Sequence, residues 1–187
     1  MTTLPAMPSS MLTIGHSDRT LEDFLGILAH HRVEFLADVR KMPGSRKHPQ
    51  FNGDALALSL ASAGIGYQHF PGLGGLRRRL PDSPNAGWRN ASFRAYADYM
   101  LTADFEAGLD ALLVRARQAS TVIMCAEAVP WRCHRSLIAD ALLVRGVAVN
   151  DIYGATRARP HDLTSFAHVE GTRITYPPPA EDSAPSR

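Results

Sequence analysis

The stretch STVIMCAEAVPWRCHRSLIADALLVRGVAVNDI, Ser120 to Ile152, decides the fold. Ser120 to Cys125 ends in an apolar, β-branched run that reads as a buried strand. Cys133 to Arg145 carries apolar residues at helical spacing, and Gly146 supplies a suitable helix end. Val147 to Ile152 returns to strand character. Strand, helix and strand in this order form a βαβ unit, which requires a parallel sheet with a helix over one face.

The same alternation extends upstream. Met11 to His16 reads as a strand. The helix that follows runs from Thr20, with Thr20 as N-cap, Asp23 three residues on, and an apolar stripe of Leu21, Phe24, Leu25 and Leu28. Glu34 to Val39 is a second strand. Asn52 can cap a helix that reaches Ser62 and ends at Gly64, and Ile65 to Phe70 is a third strand. Pro71 to Asn90 reads as an excursion or lid, with Gly74 and Gly75 allowing a tight turn. Helical patterns cover Ser92 to Leu101 and Asp104 to Gln118, and residues 153–176 carry no decided pattern. The expectation is a single three-layer α/β domain over residues 11–176, with a mainly parallel sheet of about five strands and helices on both faces. Residues 1–10 and 177–187 read as a disordered leader and tail.

Composition narrows the function. A chain of 187 residues, 45% hydrophobic, supports one core. Twenty basic residues against eighteen acidic ones leave a net charge of +2, too little to draw nucleic acid or membrane by itself. Two cysteines cannot form a disulfide framework. MTTLPAMPSS lacks the features of a signal peptide, and no apolar run reaches membrane-spanning length. A cytoplasmic protein with reduced thiols and no membrane partner is expected.

Ligands of open parallel sheets bind beyond the carboxyl ends of the strands. Chemically capable residues collect there: His16 and Ser17, then Asp38 and Arg40, then His69, then Cys125 and Glu127, then Asp151 and Tyr153. Four readings of the cysteines compete. Cys125 is a small buried hydrophobe, or a reactive thiol, or a metal ligand with Glu127, Cys133 and His134, or a disulfide partner of Cys133. Seven residues separate the cysteines, whereas structural zinc pairs usually have two to four between them. No metal or cofactor is therefore assigned.

The reading adopted is a catalytic pocket with Cys125 as reactive thiol, involving His16, Glu127, Cys133 and His134. His16 is favoured as the base, because His134 adjoins Cys133 and helix neighbours do not face each other. Arg40, Arg77 and Arg135 would bind an anion, with Ser17, Asp38, Ser45 and Tyr67 around it. The expected activity is that of an enzyme on a small anionic or nucleotide-like substrate. The alternative is a non-catalytic nucleic-acid-binding module. It would use the Arg-rich 77–94 segment with Arg46 and Lys47, and Trp88, Phe93 and Tyr96 could stack on bases.

Five motifs occur in a recognisable order: TIGHS (13–17), DVR (38–40) with Pro43 and Ser45, YQHFPGLGG (67–75) followed by Arg77, FRAYADYM (93–100), and CAE with CHR (125–127 and 133–135). As a set they resemble the domain-of-unknown-function family numbered 488, over about Leu12 to Ile152. The resemblance implies a compact α/β fold and brings no established reaction with it.

Overall fold

The structure is a computed structural model and describes residues 8–179. The expected leader and tail therefore lie mostly outside the described residues. Five strands run parallel: β1 (Ser10–Gly15), β2 (Phe35–Asp38), β3 (Gly66–His69), β4 (Thr121–Cys125) and β5 (Ala148–Ile152). A short antiparallel strand, β6 (Ala158–Pro160), joins the edge and gives a six-stranded sheet of order β3-β2-β4-β1-β5-β6. The helices are α1 (Leu21–His30), α2 (Gly53–Ser62), α3 (Ala91–Tyr99), α4 (Ala103–Ala116) and α5 (Arg135–Leu143). A separate ribbon pairs β7 (His168–Glu170) with β8 (Arg173–Thr175).

Strand alternation divides the core into two layers. Val122 and Met124 of β4 join Ile14 and Leu36 against Phe24, Leu28, Leu56 and Leu60 of α1 and α2. Ile123 and Cys125 join Ala37 and Val39 against Tyr96, Leu109 and Leu137 of α3, α4 and α5. Helices thus cover both faces, as the apolar runs predicted.

Most helix starts follow their sequence signals. The Thr20 hydroxyl accepts from Asp23 N at 3.1 Å. Asn90 and Thr102 cap α3 and α4 in the same way. Asn52 departs from expectation. Its side chain leaves α2 uncapped and accepts from Ser45 N at 2.6 Å, which pins the loop after β2. Gly64 and Gly146 adopt φ of +74° and +78°, where a side chain would be strained.

The chain from Pro71 to Asn90 is a fixed wall. Buried Asp98 accepts from Ser83 Oγ at 2.5 Å, Asn85 Nδ2 at 2.8 Å and Leu80 N at 3.4 Å. Trp88 packs against Phe93, Phe166 and Tyr176.

A second buried network ties the C-terminal segment to α5 and β5. His161 reaches Asp140 from Nε2 at 3.1 Å and Asp151 from Nδ1 at 2.9 Å. The Tyr176 hydroxyl donates to Asp140 at 2.8 Å, and the Thr13 hydroxyl donates to Asp151. Burial works against a charge on His161, but its bonds to both carboxylates outweigh it and raise the ring to about 9.

Candidate functional site

β4 lies between β2 and β1, with Gly15 beside Cys125 and Asp38 beside Met124. Leaving β1, the chain heads through α1 toward β2. Leaving β4, it heads through α5 in the other direction, toward β5. This reversal opens a crevice at the carboxyl ends of the strands. A cleft of about 790 Å³ occupies it, lined on one side by His16, Ser17, Arg40, Lys41, Ser45, Lys47 and His48. Cys125, Glu127, Arg132, Cys133 and His134 line the other side, with Leu76, Phe93 and Tyr96 completing the wall.

Asp38 anchors the first side. It is fully buried and takes Arg40 Nε at 2.8 Å, Arg40 Nη2 at 2.5 Å and the Tyr67 hydroxyl at 2.9 Å. Burial opposes the Arg40 charge, but the Asp38 bonds outweigh it and raise the guanidinium above its ordinary value. Tyr67 is also pushed up, first by burial and then by the Asp38 charge. Arg40 Nη1 lies 3.4 Å from His16 Nε2, while His16 Nδ1 meets Ser17 O at 2.9 Å. Phe51 stacks on the His16 ring at 4.4 Å. Burial lowers His16 below the ordinary imidazole value.

Two sulfurs and an imidazole form the floor on the other side. Cys125 ends β4. A 3₁₀ turn, Pro130–Arg132, then folds the chain back and returns Cys133 beside it. His134 Nε2 donates to Val39 O at 3.0 Å, so Nδ1 carries the lone pair. Nδ1 lies 3.7 Å from Cys133 Sγ and 4.0 Å from Cys125 Sγ. All three atoms fall within 4.8 Å of one another, close enough to hold a thiophilic metal ion as well as to exchange protons. The hydrogen bond from the Cys133 thiol is the main influence holding Cys125 well below the ordinary thiol value, and His134 adds to it against burial. Burial, then the neighbouring Cys125 sulfur, holds Cys133 well above that value.

The histidine partner of the thiols is therefore His134, where the sequence favoured His16. The helix-neighbour rule does not apply, because Cys133 precedes α5 in extended backbone (φ −134°, ψ 140°) and His134 is the N-cap.

Close contacts hold this geometry. A Cβ at Gly15 would lie 1.7 Å from Glu127 O, so only glycine lets the loop after β4 approach β1. A Cβ at Gly75 would lie 3.1 Å from His134 Nδ1, and one at Gly74 would lie 2.8 Å from Lys41 Cα. Both glycines serve close approach, and the left-handed residue of that turn is Leu76, with φ +58°. Ser17, φ +51°, is a second left-handed non-glycine on the cleft wall. Backbone strain of this kind gathers at functional sites.

Not every expected residue faces the cleft. Arg135 is fully buried and donates from Nη1 to Glu127 O at 2.5 Å and from Nη2 to Ala128 O at 3.0 Å. It clamps the loop instead of presenting a charge. Arg77 binds the carbonyls of Pro71, Gly72 and Gly74 and stacks over Tyr99 at 3.5 Å. Tyr67 acts through Asp38. His16, Ser17, Arg40, Ser45, Cys125, Glu127, Cys133 and His134 do line one cleft. Lys41, His48 and Leu76 were not expected there. Their signal was position alone, directly after β2 and after the Gly74-Gly75 pair.

Fold and cleft together define an α/β protein with a cysteine–histidine cluster at the carboxyl edge of a parallel sheet. The chain belongs to the family described as Domain of unknown function DUF488, which matches residues 20–142. No curated protein and no solved structure matched the chain. Among the described residues, no helix is long and apolar enough to cross a membrane.

Proposed function

We propose that the chain is a cytoplasmic enzyme acting on a small anionic or nucleotide-like substrate, with Cys125 as nucleophile and His134 as its base. One observation carries this reading. Two thiols and an imidazole lone pair converge within 4.8 Å on the floor of a cleft that also presents Arg40, Lys41, Lys47 and Arg132. Cys125 packs among apolar core residues, and it also meets an imidazole oriented by a backbone carbonyl, which filling the core does not require. Arg40, Lys41 and Lys47 supply an anion subsite on the opposite wall, and Arg132 adds a cation on the thiol side. Glu127, exposed at the rim, is available to move a proton on the leaving group.

The nucleic-acid reading has less support. Arg77 and Arg94 are committed to backbone carbonyls, and Trp88 is packed among aromatics. Arg78, Arg79 and Arg89 remain exposed.

Alkylation of each cysteine against pH, followed by mass spectrometry with and without a chelator, tests the proposal. Cys125 should react with a midpoint well below the ordinary thiol value of about 8.5. Cys125→Ser should remove the fast-reacting class entirely while the protein stays folded. Inertness of both thiols until unfolding would overturn the proposal.

A further inference from the structure

The proposed nucleophile leaves the second thiol without a task, and its placement suggests one. Cys133 Sγ is closer to His134 Nδ1 than Cys125 Sγ is, 3.7 Å against 4.0 Å. A base serving Cys125 alone has no need to sit nearer the other sulfur. Cys133 also stands outside α5, in extended backbone, and the loop before it is exposed at Ala126, Glu127 and Ala128. Both thiols line the cleft, and no disulfide joins them. Their separation of at most 4.8 Å must shrink to about 2 Å for a bond, a movement of about 3 Å or less.

We infer that Cys133 is a resolving thiol, and that the cleft reduces a small anionic disulfide while its two cysteines become a Cys125–Cys133 disulfide. This rests on the nucleophile assigned to Cys125 above. In the first step the Cys125 thiolate attacks one sulfur of the substrate. A mixed disulfide forms, the substrate S–S bond breaks, and one thiolate leaves. In the second step His134 Nδ1 takes the Cys133 proton as that sulfur attacks Cys125 Sγ. The protein disulfide forms, and the second thiolate leaves. One substrate disulfide is reduced to two thiolates, the protein dithiol is oxidised, and one proton passes through His134 to water. A low-molecular-weight thiol then returns the protein to its reduced state.

The anionic preference follows from the walls. Lys41, Lys47 and Arg132 outnumber the acidic Asp18 and Glu127 on the cleft lining, attract the substrate and stabilise both departing thiolates, while the charge of Arg40 is offset by Asp38. His134 is held for both steps by one fixed bond, Nε2 to Val39 O.

The test uses the reduced full-length chain and dithiobis(nitrobenzoate), an anionic aromatic disulfide whose thiolate product is coloured. The wild-type protein should release two equivalents of product per chain. It should end without an adduct and two hydrogens lighter than at the start. Dithiothreitol should restore it. Cys133→Ser keeps a hydroxyl donor beside Cys125, so it should release one equivalent and hold the adduct on Cys125. A wild-type protein that stops at one equivalent with a lasting Cys125 adduct, or that carries an adduct on each cysteine, overturns the resolving role alone. Failure to release even the first equivalent overturns the nucleophile as well. The wild-type product mass decides the matter even if the variant does not fold.

Discussion

His134 and His161 are both half-buried imidazoles held against α5, and their surroundings are opposite. His161 has each nitrogen on a carboxylate, Asp140 and Asp151, and those carboxylates are bound in turn by Tyr176 and Thr13. Every polar atom named there has a partner inside the protein. His134 commits one nitrogen to Val39 O and turns the other to two sulfurs beside an open cleft. A saturated network fastens the chain. An unsaturated one leaves valence for a substrate. The difference separates buried polar groups that hold a fold from those that do chemistry.

The comparison breaks first at Asp140. Asp140→Asn removes the charge facing His161 and weakens the bond to Tyr176, so it should cost about 3 kcal/mol in urea unfolding. Alkylation of Cys125 in the folded variant should be unchanged. A large change in thiol reactivity would show that the two clusters are coupled through α5.

An effect of similar size follows from pH. The folded value for His161, about 9, is above the unfolded 6.5. Its contribution is therefore complete below pH 6.5 and is lost as pH rises through 9. Unfolding at a series of pH values should lose up to about 3 kcal/mol across that window. His161→Gln should flatten the loss, and a wild-type profile already flat would remove the network from the fold's stability.

The smallest effect sharpens the other side. Gly75→Ala places a methyl 3.1 Å from His134 Nδ1, so the ring must shift by tenths of an ångström. The Cys125 alkylation rate should fall a few-fold, under about 1.4 kcal/mol of barrier, with folding stability within about 0.5 kcal/mol of wild type. An unchanged rate would mean that the ring position is not critical.

The sheet was legible because β1, β4 and β5 are apolar runs long enough to show strand character. β6, Ala158–Pro160, was not, because an edge strand with exposed residues carries no apolar alternation. Residues at strand tips could be assigned from order alone, which brought His16, Arg40 and Cys125 together. Direction was the hidden part. Nothing in the letters says that the Arg135 guanidinium turns back onto its own loop while Arg132 lines the cleft. Spacing was silent on proximity: the seven residues between the cysteines argued only against a structural zinc pair, and it is the Pro130–Arg132 turn that brings the two sulfurs together. Asn52 shows the same limit, because a capping side chain and one that pins a neighbouring loop look alike in sequence.

The place of β4 between β2 and β1 has a consequence for how the molecule is made. The first two strands of this sheet in chain order, β1 and β2, are not neighbours in it. Both wait with an unpaired edge for Thr121 to Cys125, which arrives after all but one of the helices. The strand that joins β1 to β2 also delivers Cys125, the sulfur proposed as nucleophile. A nascent chain that lacks β4 therefore carries no assembled cysteine–histidine cluster, and the proposed chemistry would begin only once the sheet has formed.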